Sequence, residues 1–295
     1  MTVAHGEDIV VAEAVLVAGA PRQFLLLHRT LGRPGGVAEH GARVEVRDSA
    51  GGVAVLTERP RADCFAEQQP GADSLFAACY GADSVAIVPG GLYELHIETT
   101  DGRVLAATTR VPGAFNLHRP PAGTVVCSVP PGTTLEIAWS PSDSAWVYLV
   151  EASFAGLREA LAARGIDVPE GSIRLLGLGL GSEDTTIVFP TEFGIFERFG
   201  GLADLLLALR DGAPAGVSAV VTVAAADRNF VNWARSGGFN PSGNVRVPSV
   251  RGDGTGSFGS LVRRTFRIEV GDTLLPPCNR VRDGRRLTGA FAGGG

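Results

Sequence analysis

The chain has 295 residues, of which 45% are apolar and 19% charged, so it is long enough to bury two cores and is not a disordered chain. Its net charge of −5 argues against nucleic acid as the main partner, because phosphate binding needs a basic face. All 26 basic residues are arginine, which excludes a lysine Schiff base and a P-loop lysine.

Short strands and turns dominate residues 9–112, which we predict to form a β-sandwich domain. The predicted strands cover residues 9–18, 23–30, 42–47, 53–57, 92–97 and 104–106. The last two are separated by Asp101-Gly102, which favours a type I′ hairpin because both central residues tolerate positive φ. Residues 1–8 are a mostly polar N-terminal segment.

Residues 113–123 are rich in proline and glycine and predict a linker without regular structure. A second β-sandwich domain is predicted over residues 124–270. Its first strands place an inward-pointing Trp139 at the end of one strand and Tyr148 in the next, which is typical of a fibronectin type III or immunoglobulin-like domain. The predicted fold is therefore all-β, with two such sandwiches.

Short helical insertions interrupt the second domain. Apolar residues keep helical spacing in three places: Phe154, Leu157 and Leu161; Leu202, Leu205, Leu206 and Leu209; and Phe230, Val231 and Ala234. Asp227 is the predicted cap of the third helix. Residues 216–225 and 261–270 predict the closing strands, and residues 271–295 predict a loosely held C-terminal tail.

Four cysteines, Cys64, Cys79, Cys127 and Cys278, allow three pairings. We favour Cys64 with Cys79, which closes a loop worth about 3 kcal/mol in loop-closure entropy. Cys127 with Cys278 would then tie the start of the second domain to the tail. The alternative is four buried free thiols. Oxidised cysteines would place the chain outside the cytosol.

A glycine-rich stretch near the end, Gly254 to Gly259, satisfies the G-x-G-x-x-G pattern of dinucleotide sites. A dinucleotide site needs a strand before the glycines and a helix after them, but Pro248 precedes this stretch and a strand-like run follows it. We therefore predict a structural loop formed by Gly254, Gly256, Phe258 and Gly259, with Phe258 buried in the second core and at least one glycine at positive φ.

No group of residues in the sequence has the spacing of a catalytic or metal site. The five histidines are scattered, none is in an H-E-x-x-H motif, and no serine occupies a G-x-S-x-G elbow. We accordingly predict no catalytic, cofactor-binding or metal-binding residue, and a protein that is not an enzyme.

The order of several short motifs resembles a family of secreted bacterial lipoproteins catalogued as domain of unknown function 4249. The motifs are an opening strand at 9–14, Leu27-His28-Arg29-Thr30, Gly41 to Asp48 with Gly51, Gly90 to Ile97, the aromatic helix residues 230–233, and Gly254 to Gly259. The resemblance covers roughly residues 8 to 270. This chain departs from the family in having no lipobox cysteine before residue 9.

The resemblance implies an exported protein at the outer-membrane or extracellular surface, with a binding or scaffolding role. Its implied partner is a protein, either an outer-membrane receptor or further copies of the chain, and its implied membrane contact is a lipid anchor that this sequence does not show. Since no signal segment is visible, we place the true start of the protein upstream of residue 1. Two alternatives stay open: a carbohydrate- or peptide-binding accessory module of an uptake system, and a hydrolase whose site assembles only in space. An exposed Trp146 or Trp233 would favour the accessory module.

Overall fold

The computed structural model describes residues 7–30, 37–65, 77–83, 85–179, 181–194, 203–235 and 247–279. The strands are β1 (Val10–Val17), β2 (Arg22–Arg29), β3 (Val37–Ala38), β4 (Arg43–Asp48), β5 (Val53–Arg59), β6 (Ala78–Asp83), β7 (Leu92–Glu98), β8 (Val104–Arg110), β9 (Leu117–Arg119), β10 (Val126–Val129), β11 (Leu135–Trp139), β12 (Val147–Ala155), β13 (Ile173–Gly179), β14 (Thr186–Phe189), β15 (Ser218–Ala226), β16 (Arg251–Gly252) and β17 (Gly254–Val270). The helices are α1 (Arg61–Phe65), α2 (Leu157–Ala162), α3 (Ala203–Ala208) and α4 (Arg228–Arg235).

The first sandwich is formed by two layers that β5 connects. One layer contains β6, β2, β1 and the first part of β17, and the other contains β4, β7, β8 and β16. β5 pairs with β6 through one part of its length and with β4 through another, so it passes from layer to layer. Alternate residues of both layers point inward, and Leu25 and Tyr80 of the first layer are buried in one core with Leu95 and Ile97 of the second.

The second sandwich packs a five-stranded sheet against a three-stranded one. The larger sheet has the order β13-β12-β15-β17-β10, and the smaller has the order β14-β11-β9. Aromatic rings from the two sheets meet in the core, where Phe154 of β12 stacks on Phe189 of β14 at 5.4 Å between ring centroids. The ring of Trp139 of β11 lies 5.3 Å from that of Tyr148 of β12, and both residues are buried, which confirms the inward placement predicted for Trp139.

β17 is shared by the two sandwiches. Its first part runs parallel to β1, from the pair Val10–Gly254 to the pair Val17–Leu261. From Leu261 onward it pairs with β15, and its last residues run parallel to β10. The first strand of each sandwich therefore lies parallel to the same closing strand, and the buried residues of both halves form one continuous core.

The predicted fold class, all-β with immunoglobulin- or fibronectin-III-like sandwiches and helical insertions in the second, is confirmed. The three predicted helices are present as α2, α3 and α4, but Phe154 lies in β12 and α1 adds an unpredicted helix to the first half. Asp227 caps α4 as predicted, since its carboxylate accepts the backbone N–H of Phe230 at 2.9 Å.

Three predictions about connections are wrong. Residues 113–123 are not free of regular structure, because Leu117–Arg119 forms β9 and pairs with β11. The hairpin between β7 and β8 is not type I′, since Gly102 has positive φ and Asp101 does not. Residues 271–279 are held, because Cys278 is buried and donates its backbone N–H to Ser128 at 2.9 Å. Residues 280–295 and most of the segment 1–8 lie outside the described residues.

Within the described part of the chain, no helix has the length and apolar character needed to cross a membrane.

Candidate functional site

A groove of about 630 Å³ lies on the outer face of the first sandwich. Its floor is formed by β1, β2 and β17, and the apolar side chains there include Val15, Phe24 and Leu26. These residues alternate with inward residues such as Leu25, which is buried in the core. β1 and β2 are nearly continuous apolar runs, so they present apolar side chains to both faces of the sheet. In the sequence, these apolar runs are the pattern from which an outer face that is covered or binds a ligand could have been predicted.

One side of the groove is formed by α1, which contributes Asp63 and Cys64. The disulfide between Cys64 and Cys79 fixes this helix to β6, with 5.8 Å between the two Cα atoms. A short helix of five residues is not stable alone, so the covalent bond to the sheet holds its position. The predicted pairing of Cys64 with Cys79 therefore has a local consequence: it positions a wall of the groove.

The β1–β2 hairpin closes one end of the groove with Ala20, Pro21 and Arg22. Gln23 braces this hairpin from the buried side. Its amide oxygen accepts the backbone N–H of Val17 at 2.9 Å, and its amide nitrogen donates to the carbonyl of Val17 at 2.9 Å. Gln23 is 1% exposed, so this pair of hydrogen bonds is shielded from water and holds the end of the groove in one shape.

Ser257 is the distinctive polar residue of the floor. It is 4% exposed, lines the groove and lies directly opposite Glu13 in the pairing of β17 with β1. Its hydroxyl, which can donate or accept a hydrogen bond, therefore lies next to Glu13 at the floor of the groove.

Charged side chains of both signs stand at the rim. Arg263 of β17 and Asp63 of α1 line the groove, and neither makes an ion pair with any residue in the described ranges. Arg22 differs, since its guanidinium lies 3.2 Å from the carboxylate of Asp83 and both are exposed. The groove thus combines a floor of apolar side chains, which also contains Glu13 and Ser257, with charged side chains of both signs at its rim.

The glycine-rich stretch is a strand rather than the predicted loop, because Gly254, Gly256, Phe258 and Gly259 all lie in β17. The predicted positive φ occurs at Gly256, at 133°, and Phe258 is fully buried as predicted. A Cβ on Gly256 would overlap the carbonyl oxygen of Ala12, so the glycine permits the close approach of β1. The motif builds the floor of the groove and presents no helix to a phosphate.

Asp227 is a buried carboxyl that joins three elements outside the groove. Its carboxylate accepts hydrogen bonds from the hydroxyl of Thr109 at 2.7 Å and from the backbone N–H of Ser260 at 3.0 Å, besides that of Phe230 in α4. Burial raises the pKa of Asp227, and the hydrogen bonds act against that shift. Its acceptor sites are filled by the protein, so we assign it a structural role at the junction of β8, β17 and α4.

A second charged cluster lies at one end of the first sandwich. Arg29 contacts the carboxylates of Asp8 at 2.9 Å and Asp101 at 2.8 Å, and it also pairs with Glu39. The Thr99 hydroxyl and the Arg29 guanidinium lower the pKa of Asp101 to about 2. This network ties the N-terminal segment to the β7–β8 hairpin and is a structural feature of the sandwich end.

Both predicted cysteine pairs are present as disulfides, Cys64–Cys79 and Cys127–Cys278, and none of the four is a free thiol. Among the described residues there is no group of three or more histidine, cysteine or acidic side chains placed to hold a metal ion.

Trp146 is 47% exposed, and the guanidinium carbon of Arg228 lies 5.3 Å from the centre of its ring. Arg228 has no carboxylate partner within the described part of the chain. Such a pair forms a flat aromatic surface with a hydrogen-bond donor beside it. Trp233 lies in α4, and its side chain falls outside the described residues.

No protein-family model matches the sequence, and no curated protein matches it. Among solved structures, the fibronectin(III)-like modules of Clostridium thermocellum CbhA match with a TM-score of 0.21 and 10% identity, over 88% of this chain and 91% of theirs. A structure of Dpr11 IG1 bound to DIP-gamma IG+IG2 matches with a TM-score of 0.20 and 9% identity, over 90% of this chain and 98% of that one. These TM-scores are low, and the fold is therefore defined by the strand pairing described above.

Proposed function

We propose that this chain is an exported, non-enzymatic binding protein whose ligand occupies the groove on the outer face of the first sandwich. The observation that carries the proposal is the groove itself, whose floor is formed by Val15, Phe24 and Leu26 together with Glu13 and Ser257. Pockets of about 300–1,000 Å³ are typical of ligand sites, and this groove has that size.

The two disulfides support export, since disulfides persist in oxidising compartments and are rare in the cytosol. The surface location, the lipid anchor and a receptor or a second copy as partner come only from the resemblance to the domain of unknown function 4249 family. They remain predictions. Mass spectrometry of non-reduced peptides from the native protein checks export, and free thiols at both pairs would contradict it.

The binding role is tested by ligand screening with two matched variants. We would screen the full chain by NMR against short peptides, oligosaccharides and fatty acids, and then repeat the screen with Val15→Glu. The control is Val55→Glu, which places the same charge on another outward-facing strand residue, 54% exposed and outside the groove.

Val15→Glu should abolish the chemical-shift changes caused by a groove ligand, because it places a charge on the apolar floor. Val55→Glu should leave them unchanged, and both variants should keep the circular dichroism spectrum of the parent. Ligands that bind both variants equally would show that the groove is not the binding site.

The exposed Trp146 favours a second candidate function, the carbohydrate-binding accessory module. Its ring face and the guanidinium of Arg228 suit the C–H face and hydroxyl groups of a sugar. Affinity electrophoresis in gels containing soluble polysaccharides tests this candidate. Retardation of the parent that disappears in Trp146→Ala and persists in Val15→Glu would support a sugar site at Trp146. If the polysaccharides do not retard the parent, this candidate function is rejected.

A further inference from the structure

We propose that the chain forms a symmetric dimer in which strand β5 pairs with β5 of a second copy. This inference is independent of the groove, which lies on the outer face of the other layer of the first sandwich. It follows from an unpaired stretch of backbone in β5, from two exposed valines on that stretch and from the symmetry of the resulting pairing.

The first part of β5 is an edge of the layer that contains β4, β7 and β8. β5 pairs with β6 from Thr57 to Arg59, whereas its residues from Val53 to Leu56 pair with β4. Because β6 continues in the other layer, the side of this first part that faces away from β4 has no strand beside it in the described part of the chain. An uncovered edge of this kind can pair with a further strand.

The hydrogen-bond alternation defines which backbone groups point to this edge. The N–H of Asp48 donates to the carbonyl of Gly52 at 2.9 Å, so these residues form a hydrogen-bonded pair at the end of the β4–β5 hairpin. Such pairs alternate with non-hydrogen-bonded ones, so Ala54 bonds to β4, whereas Val53 and Val55 turn their N–H and C=O groups to the free edge. Within the described residues, no backbone hydrogen bond outside the strand pairs involves either valine.

The side chains on this edge are apolar and exposed. Val53 is 55% exposed and Val55 is 54% exposed. Native edge strands are usually protected by a lysine, a proline or an inward charge, and the segment Val53-Ala54-Val55-Leu56 contains none of these. Glu45, which lies opposite Val55 in β4, is bound by Arg47 at 2.7 Å, so no uncompensated carboxylate lies beside the valines.

Other edges of the sheets are covered by the chain itself. The edge of β8 is covered by β16 and by the amide of Asn229, which donates to the carbonyl of Thr108 at 2.8 Å. At the edge of β13, the N–H of Gly194 donates to the carbonyl of Leu176 at 2.9 Å. We therefore place the added strand on β5.

A second copy fits this edge because the segment is complementary to itself. If two copies run antiparallel about a twofold axis at Ala54, Val53 of each copy lies opposite Val55 of the other. Both are hydrogen-bonded pairs, so the N–H and C=O groups of the valines in both copies find partners. The valines also make β-branched cross-strand contacts on the outer face. Gly51 and Gly52 place no side chain where the hairpin of one copy passes the β5–β6 junction of the other.

Sedimentation velocity of the full chain tests the dimer. A pairing this short is at the weak end of specific interfaces, so we expect a monomer at about 10 µM and a substantial dimer fraction at about 1 mM. Val55→Pro should weaken the dimer by about tenfold or more, because proline lacks the N–H and symmetry removes this bond from both copies. Its circular dichroism spectrum should match that of the parent, since this N–H does not pair with β4 and proline is tolerated at such edge positions.

The matched control is Val55→Thr, which keeps the N–H and the β-branched shape and should therefore keep the dimer. A parent chain that stays monomeric at the highest concentration would overturn the proposal. A dimer that is equally strong in the proline and threonine variants would overturn it as well.

Cysteine cross-linking tests the register without a proline. At a non-hydrogen-bonded antiparallel pair the Cα atoms are about 4.5 Å apart, which a disulfide can span. Ala54→Cys should therefore form a covalent dimer on mild oxidation, as seen by non-reducing gel electrophoresis. Val53→Cys should not, because its symmetry mate would be about 8 Å away. Cross-linking through position 53 in place of position 54 would contradict the proposed pairing.

An extended peptide is the other occupant that such an edge accepts. NMR titration with the peptide Gly-Val-Ala-Val-Leu distinguishes the two occupants. If the chain stays monomeric while this peptide shifts the amide signals of Val53 and Val55, the edge pairs with a foreign strand and the assignment of a second copy is overturned.

Discussion

Gly256 must be glycine for two separate physical reasons. Its φ of 133° lies in a region that other residues rarely adopt, and a Cβ there would overlap the backbone of Ala12 in β1. Gly90 also has positive φ, at 78°, but a Cβ added to it would meet nothing within 4 Å. Substitution at Gly90 therefore measures the cost of backbone strain alone, whereas substitution at Gly256 adds the cost of steric overlap.

Gly90→Ala should lower the free energy of unfolding by about 1–2 kcal/mol, the usual cost of positive φ for an alanine. Gly256→Ala should cost clearly more, because β1 and β17 must also move apart. Urea denaturation of both variants measures the difference. Equal losses would show that the approach of β1 to β17 does not limit the choice of residue.

Asp227 gives a pH dependence of known sign. Burial raises its pKa in the folded state above the unfolded value of about 3.9. The stabilising contribution is fully present below about pH 3.9 and is lost as the pH rises through the folded pKa. Asp227→Asn cannot titrate, but its amide oxygen can still accept the backbone N–H groups of Phe230 and Ser260.

We therefore expect the free energy of unfolding of the parent, relative to Asp227→Asn, to fall as the pH rises above about 3.9, the unfolded value. Chemical denaturation at several pH values measures this difference. If the difference in free energy of unfolding between the two proteins stays constant with pH, the Asp227 carboxyl does not titrate with a raised pKa in the folded state.

The two disulfides hold elements of different kinds. Cys64–Cys79 joins α1 to β6 across a sequence separation of 15 residues. Cys127–Cys278 joins β10 to the segment after β17 across 151 residues. Because loop-closure entropy grows with loop length, the two bonds are worth about 3 and about 5 kcal/mol respectively in constraining the unfolded chain.

Replacing Cys127 and Cys278 by alanine should therefore lower stability more than replacing Cys64 and Cys79. If the groove is the binding site, replacing Cys64 and Cys79 should weaken ligand binding more than replacing the other pair, because their disulfide positions the wall of the groove that contains Asp63. Thermal denaturation ranks the stability of the two double variants, and the NMR ligand screen compares their binding. A larger stability loss for the Cys64–Cys79 pair would contradict this ranking.

At the scale of the whole molecule, the two sandwiches depend on one strand. β17 pairs with β1 in the first sandwich and with β15 and β10 in the second. The buried residues of both halves are continuous. We expect unfolding to be a single cooperative transition, with equal calorimetric and van't Hoff enthalpies. Two separate calorimetric transitions would contradict this expectation.

The same strand bears on where the chain can be divided. The predicted division of the chain into domains 9–112 and 124–270 stays a prediction, but a fragment of residues 1–113 lacks both β16 and β17. We expect this fragment to be unfolded, because β1 and β8 then lose the strands with which they pair. Joining residues 247–262 to its end should restore β structure, which circular dichroism would detect. A folded fragment without that addition would show that the first sandwich is independent of β17.

The sequence determined those elements whose signals are local. Alternation defines β7 and β8, and the carboxylate of Asp227 caps α4, because periodicity and capping depend on residues only a few positions apart. The short separation of Cys64 from Cys79 made their pairing predictable for the same reason. The all-β class follows from these local patterns together.

Only the tertiary structure decided the sharing of β17, the strand β9 within the predicted linker, and the groove. Strand pairing between distant segments is set by register and by the packing of both faces, which no local pattern encodes. Asp63 lies far in sequence from Ser257 and Arg263 of β17, and all three line one groove because β17 pairs with β1 and a disulfide fixes α1 to β6. The sequence thus determined the strands, and long-range pairing determined which of their outward side chains meet.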